Sequence, residues 1–508
     1  MAETKRFYKK FGCRLSTVWL ALLLLLGTFG RGQTPAQQPP TQPAPLPQQD
    51  DRQPPPQTAA GEGARATPAE GKISPPEAEE LFRSVDEILR FASKDTGLPI
   101  KQEVKKRLTS RDEVVAYLEK NMSEDKDAQR LRRSELVLKK FGLLPRNFNL
   151  ETFLVTLLKE QVAGYYDPKS KTVNLLDWLE AQQQRPVMAH ELTHALQDQS
   201  FDLERWMRAG DTDLADKKQP TSQDIENDEI NTVRQAIVEG QAMAVMVDYL
   251  LAPSGQTLAS SREMWDKLKE GMLAGTPDAV EFRHAPIFLR ESLTFPYRYG
   301  ADFVVAVLAK EGKENAYAGV FAKPPHTTRQ IMEPGTYLSG ERIQPMHLPD
   351  FDAAFKNYER FDIGGVGEFD VALLVDQYAG VRIAGELYPH WRGGYYYAAR
   401  PKGDATAPLG LLYVSRWSNA ERAAQFGAIY AKSLPKRYQK VGQAQAASAS
   451  DDLAYLETLA GKHTWLTEEG PVLIKVQGAT VLVTESLDQA TTEMLEQEVF
   501  EPAAAAAQ

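Results

Sequence analysis

The stretch Met188-Ala189-His190-Glu191-Leu192-Thr193-His194-Ala195-Leu196-Gln197-Asp198 decides how this chain folds. Read as an α-helix, which turns about 100° per residue, it projects His190 and His194 from one face, one turn apart, where two imidazoles can share one metal ion. Glu191 stands beside that pair, one position off the ligand stripe, where a carboxylate can take a proton from water activated by the metal. The neighbours Val187, Met188, Ala189, Leu192, Ala195 and Leu196 are apolar, so the helix reads as buried. Unpaired His and Glu would be costly there unless a metal or a partner satisfied them. Only seven histidines occur in the chain, which makes an accidental pair at ligand spacing a poor explanation.

A catalytic zinc usually has three protein ligands and one open position. A third histidine six residues after His194, as in metzincins, would need His at 200 and Gly at 197, but these are Ser200 and Gln197. The search therefore moves to residues 231 to 251, NTVRQAIVEGQAMAVMVDYLL, a strongly apolar helical stretch with Glu239 as the acid at its centre. A carboxylate so placed needs a cation, and the small residues Gly240, Ala242 and Ala244 would let this helix approach the first closely. Glu239 is thus the predicted third ligand.

With these residues the chain resembles the gluzincins, zinc peptidases whose ligands are the two histidines of H-E-x-x-H and a glutamate on a following helix. The run Gln161-Val162-Ala163-Gly164-Tyr165-Tyr166-Asp167-Pro168, then AHELTHALQDQ, then VEGQA, looks more narrowly like a group of exported bacterial proteins of that type, over roughly residues 75 to 345. The resemblance implies one Zn²⁺ per chain on His190, His194 and Glu239, Glu191 as general base, and a peptide or protein substrate. It also implies a Tyr or His facing the general base to bind the oxyanion; Tyr297, Tyr299 and His326 are available, with Tyr297 and His326 ranked equal. Residues 162 to 176 read as a β-hairpin around Asp167-Pro168-Lys169-Ser170-Lys171, and by the same resemblance its edge would align an extended substrate; a purely structural hairpin fits the residues equally. In one respect the chain departs from the thermolysin-like members, which place Asp four residues after the ligand glutamate where this chain has Met243. The partner of a ligand histidine must then come from elsewhere, for example Asp198, Asp228 or Asp248. Two other classes stay open: a degenerate zincin or non-peptidase zinc hydrolase, and an exported binding or assembly protein.

The N-terminus points outside the cytoplasm. Lys5, Arg6, Lys9, Lys10 and Arg14 precede the apolar run Thr17 to Phe29, so residues 1–32 read as a signal peptide, with an uncleaved N-terminal anchor as the alternative. A periplasmic or extracellular protein follows in either case, in contact with membrane only through a retained signal. Residues 33–73 are rich in Pro, Gln and Ala and read as a disordered tether. Cys13 is the only cysteine, so a chain without its signal has no disulfide, thiolate metal site or thiol nucleophile. The net charge of −10 gives no footprint for nucleic acid, and neither a phosphate loop nor G-x-S-x-G occurs.

The expected fold class is α+β. Residues 74–349 form a mainly helical, zincin-like domain: a helix from Ser74-Pro75-Pro76 to about Ala92, a strand within 100 to 108, a capping box at Ser110 and Glu113, and helices from Ser123 to Phe141 and from Leu150. Pro186 is expected in the first turn of the metal helix, a polar loop from Trp206 to Asp224, and a helix broken at Pro296 between Phe282 and Val307. Acids in the loop, Asp211, Asp213 and Asp216, lack the spacing of an EF-hand. Residues 350–500 alternate a helix (Asn419 to Ala431) with strands (411 to 415, 471 to 476, 479 to 484) and read as a smaller α+β domain over the cleft, in which Trp391, Tyr395 and Tyr397 fit equally as substrate contacts or as core. Residues 501–508 read as a disordered tail.

Overall fold

The computed structural model describes residues 72–114, 116, 125–160, 164–209, 214, 217–274, 279–443 and 453–500. The signal, nearly all of the tether, the C-terminal tail and Asp211, Asp213 and Asp216 lie outside the described residues. The class is α+β: helices dominate the first part, with a three-stranded sheet, and a seven-stranded antiparallel sheet organises the last.

Ser74 opens the first helix, Pro75–Thr96, by a reciprocal cap in which Ser74 accepts from the Glu77 N–H and Glu77 accepts from the Ser74 N–H. Gly97, in the left-handed conformation, ends it. Ser110 and Glu113 form the same reciprocal cap. Strand β1 (Lys105–Thr109) lies parallel to β3 (Thr172–Leu176), and β2 (Tyr165–Asp167) turns back antiparallel to β3, giving the order β1-β3-β2 and leaving β2 at the edge. The hairpin is thus where the sequence puts it, with Asp167 accepting from the Lys169 and Ser170 N–H groups in the turn.

The His190 helix, Ala181–Phe201, packs between the first helix and the Glu239 helix, Ile230–Leu251. It begins five residues before Pro186, which therefore sits inside it rather than in its first turn. The carbonyl that Pro186 leaves without a donor is that of Gln182, an exposed residue whose carbonyl water can reach. Gln184, fully buried, anchors the helix start to the hairpin by accepting from Leu176 N and donating to the carbonyls of Leu176 and Leu179. Pro296 is also not a break: in the span Ile287–Glu314 the helix passes through Pro296 uninterrupted, and the kink comes at the non-helical Gly312. Pro296 removes one backbone bond but its fixed φ suits a helix, whereas the real interruption upstream is the extended Ala285-Pro286. Trp206 lies in a helix, Leu203–Arg208, and not in a loop, because its indole donates to the Phe321 carbonyl at 3.0 Å and Arg234 stacks over its ring. Ser222–Glu226 is helical too, capped by Thr221.

The large sheet follows the order β4-β5-β6-β10-β9-β8-β7, for strands β4 (Tyr358–Gly365), β5 (Trp391–Pro401), β6 (Gly410–Trp417), β7 (Val441–Gln443), β8 (Gly461–Thr467), β9 (Gly470–Gln477) and β10 (Thr480–Glu485). Both faces are covered. Leu411, Tyr413, Val481, Val483, Val472 and Ile474 pack under the helix Ala420–Arg437, while Leu412, Val414, Leu482 and Leu473 face Phe351, Phe355 and Leu495 on the other side. Trp391, Tyr395 and Tyr397 belong to these cores, so of the two readings open to them the core is the one that holds and substrate contact falls away. The pleat puts Tyr395 and Tyr397 on one face, where Tyr397 stacks on Phe351 and Phe355.

The two parts meet at the start of the Glu239 helix. Asp228 accepts from the Gly365 N–H at 2.9 Å, and Glu229 accepts from both the N–H and the hydroxyl of Thr328. Gly367 is required beside Glu229, since a Cβ there would lie 1.8 Å from Glu229 Oε1. Burial, with the charge of Asp370 adding to it and the Thr328 bonds opposing it, pushes the Glu229 carboxyl from 4.5 up to about 8. A folded pKa above the unfolded one gives a stabilisation that is complete below about 4.5 and is lost as pH rises through about 8. Glu229→Gln, which keeps the acceptor oxygen, is therefore expected to flatten that decline and exceed the wild type at pH 8 by on the order of 1–2 kcal/mol. Denaturation midpoints of both proteins across this range check it; parallel curves would show that Glu229 ionises freely in the fold.

Candidate metal centre

Residues His190, His194 and Glu239 come together although 45 positions separate the last two (194 to 239). Each offers one ligand atom, and these atoms all lie within 4.8 Å of one another. Glu239 Oε2 is 3.0 Å from His190 Nε2 and 3.5 Å from His194 Nε2. The side chains are sealed from solvent: His190, His194, Glu239 and Glu191 are 1, 2, 2 and 3% exposed. Such a buried group of two imidazoles and a carboxylate can hold a metal ion.

The position of Glu239 comes from a helix crossing the sequence does not reveal. Gly240 was expected to let its helix approach the His190 helix, but it faces Gly300 on the helix Ile287–Glu314. A Cβ at 240 would lie 2.2 Å from the Gly300 carbonyl carbon, and one at 300 would lie 2.1 Å from the Ala236 oxygen. The backbone contact between these two helices thus falls at Ala236 and Gly240, beside Glu239 in the chain. The same crossing helix brings Tyr297, buried, to the ligands, with its ring 6.1 Å from that of His190. Tyr299 packs on Phe295 and Phe369. His326 is exposed in the loop before Thr328–Met332, its N–H donating to Gln330, and no contact described here joins it to the three donors.

Electrostatics tie the four side chains together. Burial lowers the pKa of His190, and the hydrogen bond with Glu239 only partly offsets this. Burial also disfavours the His194 cation, yet the charges of Glu239 and Glu191 and the hydrogen bonds to Glu239 and Gln197 outweigh it and raise its pKa. Glu239 is drawn down to about 2: burial opposes ionisation, but the charge of His194 and the bonds from both rings prevail. Glu191 is pushed up to about 7, chiefly by burial, although it accepts the Tyr166 N–H at 2.7 Å.

Two partners were missed in the sequence. Tyr166, in edge strand β2, reaches the His190 helix twice, through its N–H to Glu191 and through its hydroxyl to Asp198 at 2.8 Å. The partner of His194 is Gln197, whose Oε1 lies 2.9 Å from Nδ1, and none of the three aspartates expected in that role fills it. Asp198 instead accepts from Tyr166, Lys171 and the Leu203 N–H, Asp228 from Gly365, and Asp248 from the Leu258 N–H. Asp198, four residues after His194, shares its helix face with Gln197, but its carboxylate is taken by Tyr166, Lys171 and the Leu203 N–H, which leaves the ring to Gln197. The available signal for Gln197 was its place on the ligand stripe of an apolar helix. The apolar run Ser222–Ser254, which includes the Glu239 helix, has the composition of a membrane span but is mostly buried inside the fold.

No known protein family, curated protein or solved structure matches this chain.

Proposed function

We propose that the chain is an exported zinc metallopeptidase of the gluzincin type. The observation that carries this reading is the convergence of His190, His194 and Glu239, two nitrogens and a carboxylate from two helices, in a buried cluster with Glu191 adjacent. The donor set suits Zn²⁺, which accepts imidazole and carboxylate ligands and leaves a position open in catalytic sites. The seclusion of three ionisable groups argues for a cation among them, because uncompensated polar groups are expensive to bury.

Zinc, when bound, supplies Lewis-acid polarisation of the scissile carbonyl and acidifies water. Glu191 takes the proton of the attacking water and then hands it to the leaving amine. Tyr166 holds Glu191 in place through its N–H, so the base is oriented from the edge strand. Tyr297, whose ring lies 6.1 Å from that of His190, supplies the hydroxyl for the oxyanion in this reading, and the exposed His326 takes no part in it. Edge strand β2 is the element this reading assigns to aligning an extended peptide, with the Tyr166 N–H already held by Glu191 and so not offered to it. Localisation outside the cytoplasm rests on the basic and apolar N-terminal sequence alone.

Metal analysis of the purified protein, wild type beside Glu239→Ala, tests the reading. One zinc per chain is expected in the wild type, and the variant is expected to lose it or to bind it at least ~100-fold more weakly, as a lost ligand from a three-ligand site should. A wild type without zinc under metal-replete conditions would leave an exported binding or assembly protein as the better account.

A further inference from the structure

The hydrogen bonds around His194 have a direction that can be worked out from their far end. Gln241 Nε2 lies 2.7 Å from the Ala316 carbonyl and 3.4 Å from that of Tyr317. Main-chain oxygens only accept, so this nitrogen donates and Gln241 Oε1 is left as an acceptor. Gln197 Nε2 in turn lies 2.8 Å from Gln241 Oε1 and 3.0 Å from the Val238 carbonyl. Both of its hydrogens are engaged, and flipping the amide would set an oxygen against two acceptors. Gln197 Oε1 therefore faces His194 Nδ1, at 2.9 Å, as an acceptor, and Nδ1 carries a hydrogen whatever the charge of the ring.

We propose that Gln197 and Gln241 are positioning residues that lock His194 in the Nδ1–H tautomer, so that its Nε2 lone pair is aimed at the centre before any metal arrives. This deepens the metal-centre reading and rests on it. Both glutamines are fully buried, so water does not compete for their hydrogen bonds. The relay crosses three elements, from the His190 helix through the Glu239 helix to the π-turn Asn315–Gly319, whose wider winding frees carbonyls from the usual helical pattern. In a neutral His194 with its hydrogen on Nδ1, the Nε2 lone pair lies 3.5 Å from Glu239 Oε2, and a cation between them would be shared by both donor atoms. His190 has no such device, since its buried Nδ1 lacks a hydrogen-bond partner among the described residues. The two histidines are thus inequivalent, one fixed by the fold and one adjustable.

The test uses full-length protein labelled with nitrogen-15 histidine, metal-free and at alkaline pH. Long-range correlation of ring nitrogens and protons, with His194 assigned from its missing signals in His194→Gln, reads the tautomer directly. The Nδ1–H pattern is expected, and an Nε2–H pattern would overturn the proposal. Zinc affinity, by competition with a chromophoric chelator, is expected to fall about ten- to a hundredfold in Gln197→Leu, with a smaller loss in Gln241→Leu, where Val238 still holds Gln197. A folded Gln197→Leu protein binding zinc within about twofold of the wild type would also overturn it. Should that variant fail to fold, the wild-type tautomer still decides. A wild type with the Nδ1–H ring that takes up no zinc supports the relay and overturns the metal-centre reading instead.

Discussion

Glu191→Gln is expected to lower peptide hydrolysis by roughly two to four orders of magnitude, the range that a general base contributes, while zinc content stays at the wild-type level. The substitution is close to isosteric. Glutamine can still accept the Tyr166 N–H that Glu191 accepts at 2.7 Å, so the tie between edge strand and helix survives and the buried position stays filled. What the amide cannot do is take a proton from water and return it to a leaving amine. Three readouts on one pair of proteins separate the explanations: kcat/KM on a peptide library, zinc per chain, and Tm. A loss of rate with metal and Tm unchanged assigns the base. Unchanged hydrolysis would sink that role and favour a zinc hydrolase using another group, and loss of zinc together with rate would make Glu191 a support for the ligands.

The centre was legible because its chemistry is local. His190, Glu191 and His194 share one helix, and a period of about 3.6 residues turns their spacing directly into geometry. Glu239 was legible for another reason, as an acid in the middle of a stretch otherwise too apolar to tolerate one. The second layer of contacts was not. Gln197, Gln241 and Tyr166 act through side-chain amides and a backbone N–H whose partners lie on other elements, as in the bond from Gln241 to Ala316. A neutral amide in an apolar run carries no charge imbalance to mark it, so attention went to Asp198, Asp228 and Asp248. Each of those is bound by a neighbour outside the centre.

In the fold, elements with a terminal signal or a two-sided apolar run were read well: the Ser74 and Ser110 caps, the hairpin at 165–176, and strands β6, β9 and β10, which are buried on both faces. Prolines misled, because their cost depends on where the lost hydrogen bond points. Pro186 and Pro296 both ride inside long helices. The aromatic strand Trp391–Pro401 was ambiguous for a related reason: tyrosines next to glycines fit a binding surface as well as a core, and only the cover provided by Phe351 and Phe355, some forty residues upstream, makes them core.

At the crossing of the Glu239 helix with the helix Ile287–Glu314 a single added methyl group is expected to have a large structural effect. In Gly300→Ala the new Cβ would sit 2.1 Å from the Ala236 oxygen and 3.0 Å from Gly240 Cα. Those contacts are with backbone, which cannot rotate away as a side chain would, so the two helices must separate by about an ångström to restore ordinary contact distances near 3.5 Å. Both are core helices, with Phe295, Phe303 and Val304 on one and Val233, Ile237 and Val245 on the other fully buried. Separation therefore opens voids along the interface, and a destabilisation of about 3 kcal/mol or more is expected. Glu239 moves with its backbone, and a metal ligand is useful only within about 0.5 Å of its productive position. Gly300→Ala should thus lose zinc although Gly300 supplies no ligand atom, and Gly240→Ala, with its Cβ 2.2 Å from the Gly300 carbonyl carbon, should do the same. Gly271→Ala is the control: that glycine is also helical, a Cβ there meets nothing within 4 Å, and alanine is expected to stabilise by about 0.5–1 kcal/mol. Thermal melts and zinc analysis on the three variants decide. If Gly300→Ala melts and binds zinc like the wild type, the close crossing does not set the position of Glu239; if it melts near wild type but loses zinc, the centre is the more sensitive of the two.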